Sequence, residues 1–434
     1  MPPARPTPPA PLHPVKAGPG PLPSGGNTVQ LLAGGDALFP AMCRAINSAR
    51  HQVWLVTYIF HDDAAAHAVA DALAAAARRG VWVGVVVDGF GSKATLAMLR
   101  RWLVDAGVHL TVFRPLDRWW RLLQPGQLRR LHHKLCVVDG ETGFAGGINI
   151  IDDRNDLNHG WSDAPRLDFA VQLQGPAVTV IDQTVRAIWS RAALGADWLD
   201  EVAQLARSAE PVARARRVLA RLRLQPAGPG VPPGLQPERP MLPPVRVIFL
   251  VRDNFRRRRA IEHAYVAAIS RASQRVDLVC PYFYPGRLFR RALRRAAQRG
   301  VQVRLLLQGK ADYRFAALAA QVLYDEMLRS GVQVFEYTPA FLHAKVAVVD
   351  DAWATVGSSN IDPLSLLLNL EANVIVQDAP FASELAQRIE AAMQASQAVL
   401  RPPVGAGWWA VLRRGFVAST AYWFLRLAGI TGRY

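Results

Sequence analysis

The chain has 434 residues with 51 basic and 34 acidic side chains, a formal net charge of +17, and 51% hydrophobic residues. This composition is typical of a folded globular protein and excludes a disordered tail, a collagen-like chain and a disulfide scaffold. At about 150 residues per domain, the length indicates two or three domains. The positive charge predicts a phosphate-rich partner, but it does not distinguish nucleic acid from anionic lipid or small phosphoesters.

The predicted elements occur in the same order in two halves of the chain. After a Pro-rich start at 1–26, which is predicted to be disordered, helices alternate with short strands rich in Val and Leu. Residues 45–63 align with 268–286, and residues 78–89 align with 298–309. The pattern predicts an internally duplicated α/β sandwich with mostly buried sheets. The predicted helices cover 36–48, 67–79, 94–106, 259–270, 287–299 and 315–330.

Changes in composition divide the chain into five segments. They are the N-terminal segment 1–26, a first domain 27–207, a basic, Pro-rich connector 208–244, a second domain 245–396 and an aromatic, basic C-terminal segment 397–434. The three cysteines, Cys43, Cys136 and Cys280, leave at least one unpaired and match no metal-ligand spacing. They favour a reducing compartment that faces the cytosol.

The C-terminal run at 407–434 is rich in aromatic residues, and arginines interrupt its apolar stretch. That stretch is too short for a spanning helix, which needs about 20 residues, but long enough to lie in a membrane interface. We predict that Trp408, Trp409, Tyr422 and Trp423 lie at the headgroup boundary. The alternative is a helix that docks on the body of the protein.

Each half contains the same spacing of four residue types. The lysine follows a histidine by two residues, an aspartate follows the lysine by five, and an asparagine follows the aspartate by ten. The two sets are His132, Lys134, Asp139 and Asn149, and His343, Lys345, Asp350 and Asn360. Because residues i and i+2 of a strand share a face, each histidine is expected beside its lysine. The aspartate is expected to close a turn, and the next strand to bring the asparagine back beside the pair.

Two such strands that face each other across a pseudo-twofold axis would surround one pocket with two imidazoles, two ammonium groups and two carboxamides. One histidine can attack phosphorus while the other protonates the leaving oxygen, and lysine and asparagine can neutralise the phosphoryl oxygens. Histidine suits both tasks because its pKa lies near neutrality. The pattern therefore predicts phosphodiester transfer that needs no metal and no other cofactor.

These residues carry a resemblance to the phospholipase D superfamily, whose signature H-x-K-x(4)-D-x(6)-G-[SG]-x-N occurs here twice. Two further strings, VTYIFHDD at 56–63 and SSNIDPLSLLLNLEANV at 358–374, are similar to bacterial cardiolipin synthases. The resemblance covers about residues 27–396. It implies two duplicated phospholipase D-like α/β sandwich domains, packed about a pseudo-twofold axis with one shared active site.

The resemblance also implies roles for individual residues. The catalytic set is His132, Lys134, Asp139, His343, Lys345 and Asp350; the phosphate-binding set is Asn149, Asn360 and Ser358; and the histidine-orienting set is Asp168 and Glu371. For Asp168, a solvated charge at the end of a strand is the alternative. Gly147 stands where the second copy has Ser358, so one hydroxyl donor is missing and the site is expected to be asymmetric. The family favours His132 as the nucleophile, although the residues themselves do not distinguish the two histidines.

The function implied is that of a phosphatidyltransferase which makes cardiolipin through a phosphatidyl-histidine intermediate. Its donor would be phosphatidylglycerol, an anionic phospholipid, and its acceptor phosphatidylglycerol or another phospholipid. The protein would lie peripherally on the cytoplasmic face of a bacterial cell membrane, with no nucleic acid partner. Two alternatives stay open at this point: a phospholipase D hydrolase and a phospholipase D-like nuclease or other phosphodiesterase.

Overall fold

The computed structural model describes residues 24–115, 130–157, 160–206, 245–252, 259–309, 324–361 and 369–400. From residue 194 to 206 only the backbone is described. The predicted connector at 208–244 lies outside these residues, and so do Trp408, Trp409, Tyr422 and Trp423 and most of the N-terminal segment that is predicted to be disordered.

Both halves begin with a strand and a helix and end with a long helix. The first half contains β1 (Ser24–Ala33), α1 (Gly35–Asn47), β2 (Gln52–Thr57), α2 (Ala64–Arg78), β3 (Trp82–Asp88), α3 (Leu96–Leu99), β4 (His109–Phe113), β5 (Leu135–Val138), β6 (Thr142–Gly146), β7 (Asn155–Asp156), β8 (Gly160–Trp161), β9 (Phe169–Gln174) and α4 (Pro176–Ala206). A 3₁₀ turn at Lys93–Thr95 and a π-helical turn at Arg100–Val104 flank α3.

The second half has the same plan. It contains β10 (Val245–Arg252), α5 (Ala260–Arg271), β11 (Arg275–Cys280), α6 (Arg287–Gln298), β12 (Gln302–Gln308), β13 (Gln333–Tyr337), β14 (Val346–Val349), β15 (Trp353–Gly357), β16 (Glu371–Gln377), α7 (Ala379–Gln394) and β17 (Gln397–Ala398). Residues 324–329, within the helix predicted at 315–330, are also helical. The first strand starts three residues before the predicted domain boundary at 27, and β17 continues the second unit to residue 398.

The strand order confirms the internal duplication. The main sheet runs β17-β13-β12-β11-β14-β15-β16-β10-β1-β9-β6-β5-β2-β3-β4. Read outward from the junction of β10 and β1, the order in one half repeats the order in the other, apart from the added edge strand β17. In each half three neighbouring strands are parallel and the strands that carry the motif are antiparallel.

Alternate residues of the strands supply two different cores. In β2, Val53 and Leu55 pack in a core beneath α1 and α2, whereas Trp54 and Val56 belong to a central core. The central core contains residues from both halves together with apolar faces of α4 and α7. Each fully buried apolar side chain contributes about 1.5–3 kcal/mol relative to its exposed state. The central core therefore joins the halves by the same hydrophobic burial that stabilises each half.

The helix α2 begins at a side-chain cap. Asp63 is its N-cap residue, and its Oδ1 accepts a hydrogen bond from the Ala66 backbone N–H at 3.0 Å. In the part of the chain that the structure describes, no helix combines the length and the apolar composition needed to cross a membrane.

Candidate active site

The two motif histidines lie where the halves meet. His132 lies two residues before Lys134, which directly precedes β5, and the His132 backbone N–H donates to the Leu370 carbonyl oxygen at 3.0 Å. In the same way the His343 N–H donates to the Leu167 carbonyl oxygen at 2.9 Å. Leu370 precedes Glu371 and Leu167 precedes Asp168. Each histidine segment is therefore paired with a carboxylate segment from the other half.

The side chains are paired in the same way, each histidine with a carboxylate of the other half. His132 Nδ1 lies 3.1 Å from Glu371 Oε2, and His343 Nδ1 lies 2.6 Å from Asp168 Oδ2. Glu371 is fully buried and Asp168 is 2% exposed, which excludes the solvated-charge alternative for Asp168. Burial raises the pKa of both carboxyls, but the facing histidine and the nearby lysine outweigh it and hold each pKa below its usual value. Both carboxylates are therefore ionised at neutral pH.

The histidines are neutral in the free protein. Burial, aided by the neighbouring ammonium group, lowers the pKa of His132 and lowers that of His343 to about 3. A neutral imidazole whose Nδ1–H donates to a carboxylate keeps a lone pair on Nε2. Nε2 is thus the nitrogen of each ring that is available for attack on phosphorus or for proton transfer.

The two lysines are buried beside their histidines. Lys134 Nζ donates to the His132 carbonyl oxygen at 2.9 Å, and Lys345 Nζ donates to the His343 carbonyl oxygen. Burial lowers the pKa of Lys134 to about 7 and that of Lys345 to about 8. An anionic group bound in the pocket would favour their charged forms, so the site is poised to bind a phosphodiester.

The two motif asparagines lie in unequal settings. Asn149 is buried, and its Oδ1 accepts from the Ile59 N–H at 3.3 Å. Because that bond uses the oxygen, the NH₂ group can donate to a phosphoryl oxygen. Asn360 is 9% exposed, and its Oδ1 has no hydrogen-bond partner among the residues that the structure describes.

Ser358 does not occupy the phosphate-binding position that the sequence predicted. Its side chain is fully buried, its Oγ donates to Glu371 Oε2 at 2.5 Å, and the same Oγ accepts from the Ala372 N–H at 3.1 Å. The hydroxyl is therefore committed to the carboxylate that faces His132. At the equivalent position, a Cβ on Gly147 would lie 2.4 Å from Asp168 Oδ1. The expected asymmetry is present, but it affects the carboxylates rather than a contact with phosphate.

Asp139 and Asp350 do not join the catalytic cluster, and this corrects the catalytic role predicted for them. Each lies beyond the far end of a four-residue strand from its lysine, five residues away, which separates the two by about 16 Å at about 3.3 Å per residue. Asp139 accepts hydrogen bonds from the backbone N–H groups of residues 50–52, and Asp350 from those of residues 273–275. Both have a positive φ, at 52° and 50°. They stabilise the turn that joins a helix to the neighbouring strand.

Sequence reasoning missed two acceptors that hold the histidine segments. Asp88 Oδ2 accepts from the Leu131 N–H at 2.9 Å, and Gln308 Oε1 accepts from the Leu342 N–H at 2.8 Å. Leu131 and Leu342 each precede a motif histidine. Asp88 and Gln308 occupy the same position of the aligned repeats 78–89 and 298–309, and this was the signal that could have revealed them.

Tyr58 is a further neighbour that the motif does not include. Its ring centroid lies 5.0 Å from that of His132 and 5.5 Å from Lys134 Nζ. An ammonium group over an aromatic face gains a cation–π attraction. The aligned position of the second half is Pro281, so this contact belongs to one half alone.

Comparison with known proteins agrees with this geometry. A family model described as cardiolipin synthase, PLD-like domain matches residues 42–160 and 265–393, one segment in each half. The chain belongs to this phospholipase D-like family. Over 83% of its length it is 36% identical to cardiolipin synthase B of Shigella flexneri and of Escherichia coli K12, and it covers 79% of each.

More distant relatives extend the comparison. Cardiolipin synthase A of Pseudomonas fluorescens is 35% identical over 83% of the chain, which spans 67% of that protein. Among solved structures, the phosphatidylserine synthase of Haemophilus influenzae superposes with a TM-score of 0.61, covering 94% of this chain and 95% of that one at 13% identity. This last likeness concerns the fold alone.

Proposed function

We propose that the protein is a phospholipase D-type phosphatidyltransferase that makes cardiolipin. The observation that carries this proposal is the pair of buried histidine–carboxylate contacts, each assembled from both halves, in a chain 36% identical to cardiolipin synthase B. A site with two such pairs provides the nucleophile and the proton-transfer group that phosphodiester exchange requires.

The reaction proceeds in two steps. In the first, Nε2 of one histidine attacks the phosphorus of phosphatidylglycerol, the phosphorus–oxygen bond to the headgroup glycerol breaks, and the protonated second histidine gives its proton to the departing oxygen. In the second, a hydroxyl of another phosphatidylglycerol attacks the phosphatidyl-histidine and gives its proton to the second histidine as the nitrogen–phosphorus bond breaks. Cardiolipin leaves, and both imidazoles return to their starting states.

One histidine must carry a proton for the first step, although both are neutral in the free protein. The bound phosphodiester supplies a negative charge beside the imidazoles, which raises their pKa and favours protonation of one of them. Glu371 and Asp168 then stabilise the imidazolium through its Nδ1–H. Lys134, Lys345 and the asparagine carboxamides neutralise charge on the phosphoryl oxygens as it develops.

The substrates of this reaction are anionic phospholipids, so the protein must work at a membrane. This proposal includes a location on the cytoplasmic face of the membrane. It also includes the predicted contact of the bilayer with Trp408, Trp409, Tyr422 and Trp423. The net charge of +17 supports it because basic proteins are attracted to anionic leaflets.

The test is product analysis after the purified protein is mixed with phosphatidylglycerol vesicles. The variants His132→Ala and His343→Ala are compared with His263→Ala, which removes an exposed histidine on α5. Cardiolipin and free glycerol, lost in the first two variants and kept in the third, support the proposal. Phosphatidic acid as the main product would show a hydrolase instead, and inert lipid with degraded single-stranded DNA would show a nuclease.

A further inference from the structure

We propose that the rim of the active site is itself a membrane-docking surface, whose occupant is an anionic phospholipid bilayer. Four exposed apolar side chains form it, and we call them the rim residues: Phe90, Leu157, Trp161 and Leu288. The proposal rests on the proposed function, because that function requires the site to take its lipid substrate from a bilayer.

The rim residues are unusually exposed for their type. Their exposed fractions are 57% for Phe90, 53% for Leu157, 66% for Trp161 and 45% for Leu288. Single exposed apolar residues are ordinary on a protein surface, whereas their concentration in one region marks an interaction site. In the part of the chain that the structure describes, six large apolar side chains are at least 45% exposed, and four of them are the rim residues.

Hydrogen bonds to Asp88 link Phe90 to the segment that carries His132. Its backbone N–H donates to Asp88 Oδ1 at 2.8 Å, and the other oxygen of that carboxylate accepts from the Leu131 N–H at 2.9 Å. The Arg130 guanidinium lies over the Phe90 ring, 5.3 Å from its centroid. An exposed aromatic ring and a cation are thus held together beside the residue that precedes the histidine.

Leu157 and Trp161 belong to the small hairpin of β7 and β8. Leu157 follows β7 and Trp161 ends β8. The base of the hairpin is fixed by Arg166, whose Nη2 donates to the Asn155 carbonyl oxygen at 2.9 Å. Arg166 lies two residues before Asp168, the carboxylate that faces His343. The hairpin therefore projects from the segment that orients the second histidine.

Leu288 lies in the first turn of α6. The chain leading into α6 is held by Tyr284, whose N–H donates to the Ile361 carbonyl oxygen at 2.6 Å, and Ile361 follows the motif residue Asn360. The rim residues thus belong to three separate segments, which are the loop after β3, the β7–β8 hairpin and the start of α6, and each segment is hydrogen-bonded to one that adjoins a residue of the site. From these bonds we infer that the four side chains border the mouth of the site.

The charge beside Leu288 favours an anionic surface. Arg287 and Arg291 are exposed and one helical turn apart on α6. The equivalent helix of the first half, α2, is mostly alanine and has no arginine before Arg78. Aromatic and aliphatic side chains that enter the interface beside arginines are typical of proteins that bind anionic membranes. Single-stranded nucleic acid would use aromatic stacking but has no use for the two leucines, so the combination favours lipid.

The test uses the full chain with Phe90, Leu157, Trp161 and Leu288 all changed to serine. The matched control carries Val104→Ser and Val180→Ser. These valines are 48% and 42% exposed and lie outside the three segments that carry the rim residues. Sedimentation with phosphatidylglycerol vesicles measures binding, and turnover is measured on vesicles and on a short-chain phosphatidylglycerol below its critical micelle concentration. We expect the rim variant to bind vesicles on the order of 100-fold more weakly and the control to bind as the parent does.

The short-chain substrate separates docking from chemistry. We expect the rim variant to show a raised KM on vesicles and a turnover of the monomeric substrate within about twofold of the parent. Unchanged vesicle affinity would overturn the proposal, as would an equal loss on both substrates or loss of single-stranded DNA binding in place of vesicle binding. A parent protein that binds vesicles through the rim but converts no lipid would refute the proposed function and leave the docking surface standing.

The arginines provide a second measurement. The double variant Arg287→Gln with Arg291→Gln should weaken binding to phosphatidylglycerol vesicles by about tenfold, since each arginine near an anionic surface adds a few-fold to the affinity. Binding to zwitterionic phosphatidylcholine vesicles should not change. A similar loss on both vesicle types would contradict the electrostatic part of the proposal.

Discussion

Replacing Ser358 with alanine should slow turnover by about 10- to 150-fold, although its hydroxyl lies on the carboxylate and not on the substrate. The hydroxyl donates to Glu371 Oε2 at 2.5 Å, and Glu371 in turn faces His132 Nδ1. A hydrogen bond to a charged group contributes about 1.5–3 kcal/mol, and each 1.36 kcal/mol in the barrier changes a rate about tenfold. The 10- to 150-fold range follows if the transition state loses the whole contribution of this hydrogen bond.

The substitution Gly147→Ser should disrupt the contact between His343 and Asp168. A Cβ at Gly147 would lie 2.4 Å from Asp168 Oδ1 and 2.9 Å from Oδ2, so Gly147→Ser must displace the carboxylate that lies 2.6 Å from His343 Nδ1. We expect at least about a tenfold loss of kcat, since the displaced acceptor loses a charge-assisted hydrogen bond. Gly147→Ser merely places the serine of the second half in the first half, so a symmetric site would tolerate it.

The assay is kcat for cardiolipin formation together with its pH profile. Ser359→Ala is the matched control, because Ser359 is also buried but its hydroxyl donates to the neighbouring Asn360 carbonyl oxygen and not to Glu371. Loss of the Ser358 donor should raise the pKa of Glu371 and move the acid limb of the profile to higher pH, an effect that general destabilisation would not produce. A Ser358→Ala enzyme within twofold of the parent, with an unmoved acid limb, would refute the reasoning.

Three further predictions concern the lysines and the motif aspartates. Lys134→Ala or Lys345→Ala should raise the barrier by at least about 2.7 kcal/mol, measured as kcat/KM, and near-full activity would contradict a phosphate-binding role. Because burial lowers their pKa to about 7 and about 8, rising pH removes their charge early, so kcat/KM of the parent should fall above about pH 8 rather than near pH 10, as a pH titration will show. Asp139→Ala and Asp350→Ala should lower the free energy of unfolding by about 1–2 kcal/mol each, from lost acceptors of backbone N–H groups, and leave kcat of the folded enzyme within about threefold. Denaturant unfolding beside kinetics checks this, and a 1000-fold loss of kcat at unchanged stability would restore their catalytic role.

The duplication and the fold could be predicted because their signals are local. The repeated strings at 45–63 and 268–286 preserve strand and helix periodicity, and the structure places them in equivalent strands β2 and β11. The grouping of His132 with Lys134 follows from the two-residue period of extended chain. These are properties of neighbouring residues, which a sequence displays directly.

The misassigned residues share a different cause. Ser358 and Asp139 both belong to the signature spacing, but the spacing does not say which polar partner each one meets after folding. Ser358 finds Glu371 on the neighbouring strand β16, and Asp139 finds the backbone of residues 50–52 across β2. Asp88 was missed because it accepts a hydrogen bond from a backbone N–H. Every residue except proline has such a group, so the sequence does not mark which one Asp88 will meet. Contacts of this kind become visible only when strand neighbours are known.

The exchange of carboxylates between the halves couples folding to catalysis. His132 and Glu371 are 239 residues apart, and His343 and Asp168 are 175 apart, so neither half contains a complete pair. The leucines that precede the two histidines belong to the central core, which contains residues of both halves. When this core forms, both histidines are placed against their carboxylates at once, and when it opens both lose them. The facing histidine and the nearby lysine hold the pKa of each buried carboxyl below its usual value, so the free energy that joins the halves also maintains the catalytic protonation state.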